Sequence, residues 1–143
     1  MKTEIIVTVY REINNAKLSK MDDKDKFLMI KVMKSMKPVA AAFEDFVKDA
    51  QEKLKDEKFE AMQKEAREWQ EKGVKCTFSE EKKIALNRYF ADYNQKVADC
   101  VKEESEKENE LTYERLSEDA FGKFIASNDF DVKTIMALED VLM

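Results

Sequence analysis

The feature that most constrains this chain is a stripe of apolar residues that recurs at helical spacing through residues 22–72. From Met36 to Leu54 the apolar positions are separated by 4, 3, 4, 3 and 4 residues, which is the periodicity of one helix face. Charged and amide side chains fill the positions between them, so we expect one buried and one exposed face. A helix over this whole region would extend for about 75 Å at about 1.5 Å per residue. No single domain of this size has a core that long, so the stripe must be covered by another helix or another subunit.

Two positions interrupt this long helical region. Pro38 lacks a backbone N–H and its ring clashes with the preceding turn, so a kink or a break is expected immediately before it. After Leu54 the next apolar residue of the stripe is Phe59, five positions later. We favour a break near residue 56, with Asp56 as the N-cap of a new helix, and the alternative is a stutter within one continuous helix.

A second long amphipathic helix is predicted for residues 79–107, with Ser79 as its N-cap. Gly73 marks the end of the first helical region, so only a short connector separates the two. This arrangement predicts a long antiparallel helical hairpin or a coiled-coil-like bundle. The buried face of the second helix is expected to consist of Leu86, Tyr89, Phe90, Tyr93, Val97, Cys100 and Val101.

Residues 4–18 fit either a helix or a strand. Their apolar positions share one helix face, although the isoleucines and valines at their start favour a strand, and we favour the helix. Residues 110–116 alternate between apolar and polar side chains, so a short strand paired with the N-terminal residues is one prediction and an extended segment is the other.

Two short helices are expected near the end of the chain, at residues 117–127 and 131–142, capped by Ser117 and Asp131. Neither is long enough to be stable alone, so both should fold against the base of the hairpin. The prediction for residues 1–143 is therefore a single, mostly all-α domain with one minor strand pair at most.

No set of residues in this sequence specifies a reaction. Histidine is absent, which removes the usual catalytic triads and the helical di-iron ligands. Two cysteines are too few for a zinc site. About 30 Å would separate them within one chain, which is too far for a disulfide. We expect Cys100, on the apolar face of the second helix, to be a core residue and Cys76 to be a connector residue. Residues 22–25 lack the glycine and the distal glutamate of a calcium loop. We expect no enzyme activity, no metal, no cofactor and no small-molecule substrate.

Charge and hydropathy indicate which partners and which cellular compartment to expect for this protein. The net charge of −5 disfavours general binding to nucleic acids or acidic membranes. No segment is long and apolar enough to predict a membrane span, and the N-terminal residues do not have the pattern of a signal peptide. Two unpaired thiols are typical of a reducing compartment, so the expected location is the cytoplasm.

One group of residues is a candidate partner-binding face. Methionine is common on surfaces that accept several partners, and lysines at a spacing of three share one side of a helix. The group consists of Met29, Met33, Met36, Lys31, Lys34 and Lys37. One alternative is that the methionines fill the core. The other is that the basic first part of the chain pairs with the acidic residues 103–119, either within one chain or between subunits. A nucleic-acid interface at residues 20–37 is a further hypothesis, although arginines and aromatics are scarce there.

Several segments resemble small uncharacterised helical proteins of tailed phages and prophages. These segments are Ala16-Lys17-Leu18, Lys34-x-x-Lys37-Pro38, Leu116-Ser117-x-x-x-Phe121 and Met136-Ala137-Leu138-Glu139. The resemblance implies a helical hairpin with a role in binding or assembly and supplies no catalytic residues. We therefore expect a non-enzymatic protein-interaction or assembly factor that binds protein partners and self-associates, as a homodimer. The alternative is a nucleic-acid-associated regulator.

Overall fold

The computed structural model describes all 143 residues, and its regular structure is helical. The helices are α1 (Thr3–Asn14), α2 (Asp23–Lys53), α3 (Phe59–Lys72), α4 (Glu80–Ser105), α5 (Glu118–Ala126) and α6 (Val132–Leu142). One 3-10 turn, Gly73–Lys75, follows α3. There is no sheet, and an isolated antiparallel bridge joins Lys2 to Glu108. The predicted mostly all-α fold is confirmed.

The capping residues read from the sequence set several helix starts. The Ser117 hydroxyl accepts a hydrogen bond from the Ala120 N–H at 3.1 Å, and the Asp131 carboxylate accepts one from the Thr134 N–H at 2.7 Å. Ser79 does the same for the N–H of Lys82 at 3.2 Å. Each oxygen satisfies an N–H that has no partner within the first helical turn. The helices predicted for residues 79–107, 117–127 and 131–142 therefore exist, within two residues of the expected limits.

The two predicted interruptions of the first long helix have different outcomes. The break near residue 56 is confirmed, because α2 ends at Lys53 and α3 begins at Phe59. The Asp56 carboxylate accepts from the Lys58 N–H at 2.9 Å, and Lys58 itself occupies the N-cap position. A break at Pro38 is wrong, since α2 continues through it. The Pro38 side chain is exposed, and α2 accommodates both its ring and the one backbone hydrogen bond that it cannot donate.

The ambiguous N-terminal segment is a helix, but it is shorter than expected. α1 ends at Asn14, and the chain then leaves the helix because the side chains of Asn128 and Ser127 accept hydrogen bonds from the N–H groups of Lys17 and Lys20. The alternative of a strand at the start of the chain is therefore wrong.

The strand considered for residues 110–116 is also absent, and the extended alternative is confirmed. With α1 helical, no N-terminal strand is present to pair with this segment. Its groups bond to α6 instead: the Leu116 N–H donates to the Leu142 carbonyl at 2.7 Å, and the Tyr113 hydroxyl donates to the Val141 carbonyl at 2.7 Å.

Residue contacts divide the chain into two compact units. Unit 1 comprises Met1–Glu44 and Glu104–Met143, and unit 2 comprises Asp45–Glu103. Unit 1 contains α1, α5, α6 and the first part of α2 around one apolar core. The buried members of this core are Ile6, Val9, Ile13, Met21, Met29, Val32, Met36, Leu116, Ala120, Phe121, Phe124, Leu138, Val141 and Leu142.

In unit 2, α3 and α4 pack in an antiparallel pair. The Phe59 ring lies 4.8 Å from the Tyr93 ring, whereas at the other end of α3 the Lys83 ammonium lies 5.7 Å from the Trp69 ring. Few side chains are fully buried in this unit, among them Phe59 and Leu86. The expected core position of Cys100 is wrong, because its thiol lies two turns beyond Tyr93 and is exposed. The extended hairpin of residues 22–72 against 79–107 stays a prediction.

Candidate interaction surface

The structure separates the predicted partner-binding face into two opposite sides of α2. Met29 and Met36 are fully buried, and Met33 is half-buried against the same core. Residues three, four and seven apart lie on one side of a helix, so the methionines line the core and cannot bind a partner. Their assignment to a binding surface is wrong, and the alternative of core filling is confirmed. The other three members, Lys31, Lys34 and Lys37, are exposed.

Two apolar side chains that the sequence analysis did not single out lie on the lysine side of α2. Phe27 is 66% exposed and Ile30 is 43% exposed. A signal for them was present in the sequence, because Phe27, Lys31 and Lys34 have the spacing i, i+4, i+7 out of phase with the buried stripe. We define the α2 basic face as the exposed set Phe27, Ile30, Lys31, Lys34 and Lys37.

The lysines of the α2 basic face form no ion pair within the chain. No acidic residue occurs between Lys26 and Glu44. For these three lysines, pairing with residues 103–119 of the same chain is wrong, whereas pairing between subunits stays a prediction. Two acids of that segment form local ion pairs: Glu104 binds Lys107 at 2.7 Å, and Asp119 binds Lys123 at 3.3 Å.

A second polar cluster, in unit 2, joins Tyr89 to Asp56. The Tyr89 hydroxyl donates to the Asp56 carboxylate at 2.5 Å, and this hydrogen bond lowers the pKa of Asp56. Burial, together with the same hydrogen bond, raises the pKa of Tyr89 to about 12. The proton therefore stays on the phenol over the whole neutral range, so the pair is suited to holding the α2–α3 turn against α4 and not to acid–base chemistry.

The crevices of unit 1 are lined by groups with structural partners. One crevice of about 300 Å³ is lined by Pro38, Phe43 and the polar residues Thr3, Glu104, Lys107, Glu108 and Asn109, among others. The Asn109 amide donates to the Thr3 hydroxyl at 2.8 Å, and Glu104 is paired with Lys107. No group of three or more histidine, cysteine, aspartate or glutamate residues is arranged to hold a metal ion. The α2 basic face is thus a surface with charged and apolar side chains that the fold itself does not use.

The fold and this surface define a class: an all-α protein that exposes a basic helix face with apolar side chains. Comparison of the chain with protein-family models, curated proteins and solved structures finds no match. The resemblance to phage and prophage proteins therefore stays a prediction. None of the helices is both long enough and apolar enough to cross a membrane.

Proposed function

We propose that this protein is a non-enzymatic interaction protein, and that its α2 basic face binds a protein surface with acidic and apolar side chains. One observation carries the proposal: Phe27 and Ile30 are exposed beside three lysines that form no ion pair within the chain. We place this binding in the cytoplasm, and in phage-type assembly if the resemblance holds. Cell fractionation and the identity of the neighbouring genes test these two points.

The composition of this face suits protein recognition. An exposed aromatic ring can serve as an anchor in a pocket of the partner, where its burial supplies most of the binding free energy. The surrounding lysines would accelerate encounter with an acidic surface and exclude basic ones. Because the lysines are solvent-exposed, both effects should weaken as salt screens the charges.

A defined probe tests the proposal directly. We expect a fluorescent amphipathic helical peptide, with glutamates and leucines on one face, to bind the protein, and the same peptide with lysines in place of the glutamates not to bind. Lys31→Glu combined with Lys34→Glu should weaken binding by about tenfold or more, and Phe27→Ser should weaken it as well. The matched control is Lys64→Glu with Lys75→Glu, two exposed lysines of unit 2. Equal affinity of the two peptides, or of the two charge variants, would contradict the proposal.

Binding of nucleic acid is the second candidate function, and the uninterrupted lysine row supports it. Three lysines on one side of a helix can each neutralise a phosphate. For duplex DNA the logarithm of the binding constant should then fall with the logarithm of the salt concentration with a slope of about −3. Titration of a labelled duplex and a labelled single strand at low ionic strength measures this slope, and absence of binding there rules this function out.

A further inference from the structure

Helix α6 of unit 1 also has an exposed face with apolar and charged side chains. Val132 is 72% exposed and Met136 is 61% exposed, and Met143 lies on the same side, partly exposed. Glu139 and Asp140 are exposed between them. The positions 132, 136, 139 and 143 follow helical spacing, opposite the side on which Leu138 and Leu142 enter the core. We define the α6 acidic face as Val132, Met136, Glu139, Asp140 and Met143.

The local structure does not explain the two acids of this face. The carbonyl end of a helix carries partial negative charge, so carboxylates in its last turn are destabilising. The last turn of α6 contains no basic residue, and neither Glu139 nor Asp140 forms an ion pair. Arg115 comes near, but its guanidinium donates to the backbone carbonyl of Asp140 at 3.3 Å. These carboxylates lack a cation just as the α2 lysines lack an anion.

The α2 basic face and the α6 acidic face match in size and oppose each other in charge. From Phe27 to Lys37 the α2 face extends about 15 Å, and from Val132 to Met143 the α6 face extends about 16 Å, at the rise of an α-helix. Each defined face combines exposed apolar side chains with charges of one sign, and the exposed Lys133, seven residues before Asp140, borders the α6 face. Both faces are exposed in the same copy, so a second molecule is required to cover them.

We propose that the occupant of the α2 basic face is the α6 acidic face of a second copy of this chain. The inference rests on the proposed function of the α2 face and names its partner. In a two-fold pair each copy contributes both faces, so the contact forms twice and the buried area doubles. One helix-to-helix contact of this length is small for a stable interface, and a repeated contact brings it closer to the usual range.

Sedimentation velocity over a wide concentration range at low ionic strength tests the proposal. We expect the wild-type chain to self-associate, and Lys31→Glu with Lys34→Glu to shift it to the monomer. Glu139→Lys with Asp140→Lys should do the same. All four substitutions in one chain should restore association, as should an equimolar mixture of the two double variants, because opposite charges then face each other again. The control is Lys64→Glu with Lys75→Glu, which should associate as wild type.

A second variant removes apolar contact without changing charge. Met136→Gln should weaken self-association several-fold, and circular dichroism should show the same helix content in every variant. A wild-type chain that is monomeric at all concentrations would overturn the inference, and so would a four-fold variant that stays dissociated while folded. If the acidic peptide still binds the α2 face in that case, only the choice of partner is wrong. If the peptide also fails to bind, the proposed function is wrong.

Discussion

Lys123 is a surface cation with two anionic partners. Its ammonium lies 3.2 Å from the Asp22 carboxylate and 3.3 Å from that of Asp119, and hydrogen bonds to these two groups raise its pKa. Lys31 and Lys34 have no such partner, although they follow Asp22 by only 9 and 12 residues along the chain. Exposed pairs contribute little to the free energy of unfolding. The missing pairs therefore matter for binding specificity more than for stability.

Tyr89 gives a residue-level test of the hydrogen bond to Asp56. Its folded-state pKa of about 12 lies above the ordinary value of 10.0, so its contribution to stability is complete below pH 10 and is lost as the pH rises through 12. The pKa of Asp56 is lowered, so its contribution is lost as the pH falls through that lowered value.

We expect the tyrosinate absorbance of the wild-type chain to include a component that titrates near pH 12. Tyr89→Phe should remove it and should flatten the loss of thermal stability at both ends of the pH range. Tyr113→Phe is the control at acid pH, because the Tyr113 hydroxyl donates to a backbone carbonyl and not to a carboxylate. At alkaline pH it also removes a tyrosine, one whose pKa is raised by burial. If Tyr89→Phe instead removes a component that titrates near pH 10, the hydrogen bond to Asp56 does not form in solution.

At the scale of elements, α2 and α6 share a design in which one side enters the core of unit 1 and the other carries unpaired charge. In α2 the buried side includes Met29 and Met36, and in α6 it includes Leu138 and Leu142. Burial of these side chains stabilises each helix, so the outer side is free to vary in sequence without loss of the fold. This freedom makes charge reversal a fair test of both proposals.

Pro38 is the element-level site where a substitution should stabilise the protein. It lies inside α2, exposed, and removes one backbone hydrogen bond. Because proline in a helix interior costs about 3 kcal/mol relative to alanine, Pro38→Ala should raise the free energy of unfolding by about 1–3 kcal/mol. Urea denaturation measures this change. Ala41→Pro, one turn further along the exposed side, is the opposite control and should lower the free energy of unfolding. If Pro38→Ala is less stable than the wild type, the proline packs against a neighbour.

At the scale of the whole molecule, the two units differ in how deeply they are packed. Unit 1 has a continuous core with Ile6, Met29, Phe124 and Leu142 fully buried. In unit 2 the face of α4 is mostly half-buried, and Leu86 is the residue of that helix that is fully covered. Fewer buried apolar contacts lower the free energy needed for local opening.

Amide hydrogen exchange should therefore be slower in unit 1 than in unit 2. Central amides of α2 near Met29–Met36 should exchange more slowly than central amides of α3 near Met62–Trp69, because only the former sit over a full core. Leu86→Ala, which leaves a cavity in unit 2, should accelerate exchange in α3 and α4 before it affects α1 and α5. Leu138→Ala is the matched change in unit 1 and should show the reverse order. Uniform protection across both units would contradict this account.

Much of the fold could be read from the chain because local rules decide it. Ser79, Ser117 and Asp131 cap helices as expected, and Gly73 has the positive φ of 53° that glycine adopts at a helix end. The limits of α1 could not be read in this way, because hydrogen bonds from Lys17 and Lys20 to side chains more than a hundred residues away end it. Hydrogen bonds to residues so distant in sequence cannot be predicted from local periodicity or capping.

The sequence by itself determined that the chain is helical, where most helices begin and end, and that three lysines share one side of α2, because helix periodicity and capping act over a few residues. Only the tertiary structure decided which side of each helix is covered. It buried Met29 and Met36, exposed Phe27 and Cys100, and left the charged faces of α2 and α6 without partners. Burial of a side chain depends on segments that are distant in sequence, and a periodic pattern does not specify which segment packs against each side of a helix.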